Sequence, residues 1–325
     1  MTQWLAGIDE AGYGPRLGPM VVAMATLKCE EEITALDPWK QLAPLVGEAG
    51  RKKSDVISIA DSKKLHRSGT GDLSRLEEGV LAFVAVEKGS LPRSFRELID
   101  HCTQGRSDYL DQYPWYRGFD LELPHSCSAM NLNGKVRRLE RQLDRASIQA
   151  GEVRAIPLEV REFNSEVIAH GSKGKVDAWA MGRFLKWLWH QKDRQQIEAW
   201  ADRLGGTERY GPLLIPLFDD SHFKILEQNR DRQSYRATSS DGDRVLRVHF
   251  RKDCEQFSFC TALASMTAKY LRELHMVLLN RWWSTHVTNL KPTAGYPQDA
   301  GRFIGEVEAA RKELGIESSL LVRSR

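Results

Sequence analysis

Gly7-Ile8-Asp9-Glu10-Ala11-Gly12-Tyr13-Gly14-Pro15 is the stretch on which the fold turns. An apolar residue leads into two adjacent carboxylates, and a Gly-x-Gly turn follows. The pattern reads as a strand that ends in a metal-binding edge. Residues 21–27, Val-Val-Ala-Met-Ala-Thr-Leu, supply a second apolar strand, so the acids sit on a hairpin-like element. A charged turn between two strands is the plainer reading, and the rest of the chain decides between them.

Moving outward, residues 56–59 form a short β-like run before Asp61-Ser62-Lys63-Lys64-Leu65, where Asp61 or Ser62 can cap a helix. Residues 66–125 are mixed, with a Ser68-Gly69-Thr70-Gly71 turn and an aromatic-rich patch at 109–119. A polar helix is expected over about 131–149 and an alternating strand over 158–163. Gly171-Ser172-Lys173-Gly174-Lys175 then opens an apolar helix carrying Trp179, Met181, Phe184, Leu185 and Leu188. Residues 197–202 read as a strand that ends on Asp202, ahead of Gly205-Gly206. A hairpin joins 234–238 to 244–250 through Ser239-Ser240-Asp241-Gly242-Asp243. The best helix covers 257–279, and a tail helix covers about 299–314. Interleaved strands and helices make the class α/β.

Bulk properties narrow the function. Hydrophobic residues make up 41% and charged residues 28% of the 325, which fits a globular core. No apolar run approaches the ~18 residues of a membrane span. The start has no basic stretch followed by an apolar block, and Cys29, Cys102, Cys127, Cys254 and Cys260 are scattered without zinc-site spacing. A cytoplasmic protein with reduced thiols is the expectation. The net charge of +3 is compatible with a phosphate-backbone ligand without demanding one.

Three separated places put acids at functional-looking positions: Asp9 with Glu10, Asp202 at a strand end, and Glu273 on the long helix. Ser265, Lys269 and Glu273 are spaced by four and share one helix face, which is either functional or a solvated stripe. Clustered carboxylates resist ionisation unless a cation neutralises them. Mg²⁺ suits such a site, and two ions about 3.5–4 Å apart can drive an in-line displacement at phosphorus.

The chain resembles the type 2 ribonuclease H family, ribonuclease HII and its relatives. The stretch GIDEAGYGPRLGPMVVA is similar to that family's D-E-A-G-R-G-P-x-x-G-P-V-V opening. DSKKL at 61–65 matches its next motif. FCTALASMTAKYLRELHM at 259–276 resembles its I-A-A-A-S-I-x-A-K-x-x-R-D-x-x-M helix, and Thr293-Ala294-Gly295-Tyr296-Pro297 its G-Y element. The motifs keep family order. The resemblance implies a single ribonuclease H-like domain over 1–325, a mixed central sheet flanked by helices, with insertions at about 66–155 and 207–250.

It also implies endonucleolytic cutting of the RNA strand in RNA–DNA hybrids, or of ribonucleotide-containing DNA, with Mg²⁺ or Mn²⁺ and with 5′-phosphate and 3′-hydroxyl products. On this reading Asp9, Glu10, Asp202 and Glu273 are the catalytic, metal-holding carboxylates. Asp219 and Asp220 rival Asp202. Gly12, Tyr13 and Gly14 stand for a Gly-Arg-Gly substrate loop, Lys63 for a phosphate-contacting lysine, and Tyr296 for a tyrosine at the scissile sugar. Two departures stand out. Tyr13 cannot make the bidentate phosphate contact of arginine, and Glu273 is one methylene longer than the family's aspartate. A structure-selective nuclease on DNA or RNA, and a non-catalytic nucleic-acid-binding protein, are the alternatives. Lys173 and Lys175 can hold phosphate at a helix start. Arg230, Arg232, Arg236 and Arg244 around the hairpin can extend a nucleic-acid track or simply be solvated.

Overall fold

In the computed structural model, residues 3–30, 37–48, 55–66, 71–191, 193, 195–205, 207, 209–218 and 220–324 are described. The strands in chain order are β1 (Gln3–Ala11), β2 (Met20–Cys29), β3 (Val46–Gly47), β4 (Ile57–Ser58), β5 (Ile148–Leu158), β6 (Gln196–Asp202), β7 (Ser221–Gln228), β8 (Arg232–Ser239) and β9 (Val245–Arg251). The helices are α1 (Pro38–Gln41), α2 (Ser62–Leu65), α3 (Ser74–Lys88), α4 (Phe95–Cys102), α5 (Ala129–Arg145), α6 (Val160–His170), α7 (Lys173–His190), α8 (Gly211–Leu214), α9 (Phe259–His286), α10 (Pro297–Glu313) and α11 (Ser318–Leu321).

A seven-stranded mixed sheet runs in the order β5-β2-β1-β6-β9-β8-β7. β1 pairs antiparallel with β2, Asp9 opposite Ala23, and parallel with β6, Ile8 opposite Ala201. β6 runs parallel to β9, with Asp202 opposite Arg251. The three parallel strands therefore end side by side, and the acids of β1 and β6 come to one edge. Helices cover both faces, so the central strands are apolar on each side. Trp4, Ile8, Met20, Val22 and Met24 pack with Val176, Met181 and Leu185 of α7. Val21, Ala23, Ala25 and Leu27 face α9, α3 and α5.

α9 lies closest to the sheet. A Cβ on Gly7 would come 2.0 Å from the backbone nitrogen of Thr261, so only glycine fits where helix and strand touch. The helix starts where Ser258 Oγ accepts the Thr261 N–H at 3.2 Å. Asp61 and Ser172 cap α2 and α7 in the same way.

Two expected elements moved. The strand lies at Ile148–Leu158, paired with β2, while 158–163 mostly opens α6. Buried Val160 and Phe163 are three apart, a helical spacing that a short window reads as alternation. The polar helix accordingly ends at Arg145. Residues 66–155 contribute α3, α4 and α5, which bury Val80, Phe83, Leu98 and Leu139 in the same core as α9. The Ser68-Gly69-Thr70 turn lies outside the described residues.

Candidate active site

At the edge where β1 and β6 end lies an open cavity of about 450 Å³. Asp9, Glu10, Gly12, Tyr13, Gly14, Lys63, Asp202 and Tyr296 line it. Ser62, His66, Glu255, Ser265 and Lys269 complete its wall. Asp219 lies outside the described residues. Asp220 is exposed in a left-handed turn at the hairpin, away from this wall.

Strand alternation decides what each acid faces. Asp9 turns to the α9 side, where the Ser265 hydroxyl, itself bonded to Ser62 Oγ at 3.1 Å, favours its carboxylate form. Its Oδ1 also takes the Glu10 backbone N–H at 2.8 Å. Glu10 turns the other way, toward Asp177 on α7, its largest acidic influence. Asp202 is fixed by the Cys254 N–H, 3.3 Å from its Oδ1, which draws Glu255 to the same place.

These carboxylates raise one another's proton affinity. Burial, then Glu10, pushes Asp9 well above the usual carboxylate range, and Asp202 and Glu255 add to it. Burial, then Asp177 and Asp202, pushes Glu10 up to about 8. Asp177 rises to about 7 through burial and through Asp9 and Asp202. Burial also raises Asp202 and Glu255. Lys63 answers them. Burial alone would pull its ammonium down, but Asp61, Glu255, Asp9 and Asp202 together carry it above the ordinary lysine value.

Glu273 does not join this group. It points along α9 to Lys269, whose Nζ is 2.7 Å from its Oε1, and to Arg272 Nη1 at 3.3 Å. Burial raises its carboxyl, but the two cations outweigh burial and hold it below the usual range. Glu273 stands behind two residues of the wall, Lys269 and His66, and Glu255 is a further acid on the wall itself. The Ser265–Lys269–Glu273 stripe is buried rather than solvated, with Ser265 and Lys269 on the cavity wall.

The glycine loop is braced by the far end of the chain. Gly12 has φ +85°, and a Cβ there would come 2.7 Å from both the Arg272 side chain and the Pro19 carbonyl oxygen. Arg323 donates to the Gly12 and Gly18 carbonyls at 2.5 and 2.7 Å, and the Arg16 N–H donates to Gly295 O at 2.7 Å. Arg272 stacks under Tyr296 with 5.5 Å to the ring centroid. Lys173 and Lys175 are not on this wall; Lys175 lines an apolar groove behind α7.

Sequence reasoning passed over Glu255 and Asp177. Glu255 sits in a three-residue turn with no periodicity to mark it. Asp177 left a trace: an acid inside an apolar helix, 3% exposed, whose Oδ1 is buried with no hydrogen-bond partner among the described residues. As the side chains stand, no three His, Cys, Asp or Glu among the described residues form a group able to hold a metal ion. The donor set still fits a hard divalent cation. Mg²⁺ typically takes only one or two protein carboxylates and fills its remaining positions with water and substrate phosphate, and unpaired, mutually repelling carboxylates are what such an ion neutralises.

No protein-family profile matches the chain, and no curated protein does. Among solved structures, it is similar to the ribonuclease H2 of Pyrococcus horikoshii OT3, with 14% identity and a TM-score of 0.49 over 98% of this chain and 92% of that one. It is similar to the RNase HII of Archaeoglobus fulgidus, solved in complex with PCNA, with 15% identity and a TM-score of 0.47 over 99% and 94%. Bst-RNase HIII in complex with Mn²⁺ follows at 13% identity and 0.43, over 99% of this chain and 66% of that one. At these scores the likenesses carry no argument about chemistry, which rests on the residues. No helix among the described residues is long and apolar enough to cross a membrane.

Proposed function

We propose that this chain is a divalent-metal-dependent endonuclease that hydrolyses the RNA strand of RNA–DNA hybrids, leaving a 5′-phosphate and a 3′-hydroxyl. One observation carries the reading: Asp9, Glu10, Asp202 and Glu255, from three distant parts of the sequence, line one open cavity together with Lys63, Tyr13 and Tyr296. The order of the sequence motifs from Gly7 to Tyr296 supports it independently.

Asp9, Glu10, Asp202 and Glu255 would hold Mg²⁺ or Mn²⁺ through their carboxylate oxygens. Bound there, such ions supply charge neutralisation at a scissile phosphate and activate a water for in-line attack. The chain's own residues do the rest. Lys63 places an ammonium beside the acids, where a phosphate oxygen pairs with it. The Ser265 hydroxyl favours the Asp9 carboxylate, and the Cys254 N–H holds Asp202. Tyr296, set on Arg272, and half-open Tyr13 offer ring faces and hydroxyls to a ribose, the group that separates RNA from DNA.

Cleavage of an end-labelled RNA–DNA hybrid with Mg²⁺ or Mn²⁺ tests the reading, with duplex DNA, duplex RNA and single-ribonucleotide DNA beside it. Metal-dependent cutting of the hybrid, abolished in Asp9→Asn, is expected. Equal turnover by Asp9→Asn removes Asp9 from the chemistry. Cutting of duplex DNA in preference to the hybrid replaces this reading with a structure-selective nuclease, which Tyr13 in place of an arginine would favour.

A further inference from the structure

Beside the acidic cavity lies a basin of about 630 Å³ with the opposite charge, lined by Arg203, Arg230, Arg251 and Lys252. We infer that this basin holds the phosphodiester backbone of the nucleic-acid strand on one side of the scissile nucleotide. The inference rests on the proposed nuclease reading and extends it to where the substrate continues.

The basin and the acid cavity are built from consecutive residues. Arg203 follows Asp202, and Lys252 lies three residues before Glu255. Asp202 and Arg251 are opposed across the β6–β9 pair, and the Cys254 N–H to Asp202 closes the seam. A strand whose scissile phosphate lies at the acids would meet this basin next. Asp231 and Asp253 also line it, leaving two cations in excess.

The cations are available. Among the described residues Arg230 and Lys252 have no ion-pair partner, and both are exposed. Arg203 Nη1 donates to the Arg230 carbonyl at 2.6 Å, which fixes one guanidinium at the rim. The Arg251 guanidinium carbon sits over Phe257, 3.3 Å from the ring centroid, a cation–π contact that occupies a ring face and no carboxylate. Phe257 itself is 52% exposed. Phosphate-binding cations beside an open aromatic ring match a sugar–phosphate chain with its bases, and a binding groove for single strands combines the same two elements.

Of the four hairpin arginines, Arg230 alone lines the basin. Arg232 is held by Glu227, with Nε 2.5 Å from Oε2. Arg244 stacks on Trp189 at 5.5 Å. Arg236 stands opposite Arg247 across the β8–β9 pair. The turn between β7 and β8 therefore brings one cation to the basin, while Arg232 and Arg244 are engaged by Glu227 and Trp189.

The test is fluorescence-anisotropy binding of a labelled RNA–DNA hybrid in EDTA across a salt series, where no cleavage occurs. The variant is Arg230→Glu with Lys252→Glu. The matched control is Arg145→Glu with Arg281→Glu; Arg145 ends α5 near the opposite edge strand, and Arg281 lies far along α9. Removing one cation from a phosphate should lower the slope of log Kd against log salt by about 0.9. The basin variant is expected to bind at least about tenfold more weakly at low salt, with a slope reduced by about 1 to 2, while the control stays within twofold of wild type. The milder Arg230→Gln with Lys252→Gln, checked for an unchanged circular dichroism melt, is expected to show the same reduction in slope. Wild-type slope and affinity in both basin variants overturn the inference, and so does an equal weakening in the control. A basin variant that loses an acidic peptide but keeps the hybrid also overturns it. Wild-type protein that binds the hybrid, loses it in the basin variant, and never cuts it leaves the basin standing while the nuclease reading falls.

Discussion

Two places in this molecule bury carboxylates, and they do it in opposite ways. Glu77, on α3, is fully buried, and every oxygen is satisfied: it accepts the His125, Ser126 and Cys127 N–H groups at 2.6, 2.6 and 2.8 Å and the Tyr270 hydroxyl at 2.6 Å. Asp9 and Asp177 are also buried and Glu10 is half-buried, but much of what surrounds them is more acid. The first arrangement is structural, since a buried charge is tolerated where donors converge on it. The second leaves charge uncompensated, a destabilising arrangement that persists where function demands it. Glu273 is like Glu77 in being partnered: two cations hold its carboxylate.

That contrast can be broken by experiment. The largest effect is expected from Asp9→Asn in the hybrid-cleavage assay, a loss of about 10³-fold in turnover, while its melting temperature rises because a repelling charge has gone. A fall in both would place Asp9 with Glu77. Glu77→Ala should do the reverse. It orphans three backbone N–H groups and a tyrosine hydroxyl and should cost about 3 kcal/mol or more in urea unfolding at unchanged slope; no divalent ion should restore it.

Glu255→Gln against Glu273→Gln sharpens the comparison within one small region. Glu255→Gln should slow cleavage about 100-fold with little change in stability. Glu273→Gln should destabilise by about 3 kcal/mol, because two buried cations lose their partner. The opposite assignment would return the fourth carboxylate to Glu273. A smaller effect is expected from ions alone. Mn²⁺ at about 100 times its Kd should stabilise the wild type by about 2.7 kcal/mol, reversed by chelator, and should shift Asp9→Asn far less.

The smallest effect is in pH. In the ion-free protein Glu10 sits at about 8 and Asp177 at about 7, above their ordinary 4.5 and 3.8. The folded chain then binds extra protons in that window, so this contribution is complete at low pH and is lost as pH rises toward about 8. Unfolding at a series of pH values should show the decline, and saturating Mn²⁺ should flatten it. A flat ion-free profile would mean the acids do not repel.

The sequence made the sheet edge readable because strand alternation is local. Asp9 and Glu10 follow from a single run, and Asp202 from a strand that stops. Glu255 was hidden because its place is set by one long-range hydrogen bond, Cys254 to Asp202, across 52 residues. Glu273 stands off the cavity wall for a related reason. Helical spacing puts it on the face of Ser265, but eight residues along an α-helix is about 12 Å, enough to carry it past the cavity wall to its own cations. α3 carried no clear amphipathic stripe, since it is buried on several sides; a Cβ on Gly79 would come 2.4 Å from Met266 Cε. Which arginines of the hairpin are spent inside the fold was also beyond periodicity, because Glu227 and Trp189 reach them through tertiary contact.

The bracing of the glycine loop bears on synthesis. β1 carries Asp9 and Glu10, yet it waits for β6, made nearly two hundred residues later, and the Gly12 and Gly18 carbonyls wait for Arg323, made about three hundred residues later. A nascent chain therefore holds no assembled acidic pocket until both partners have been made.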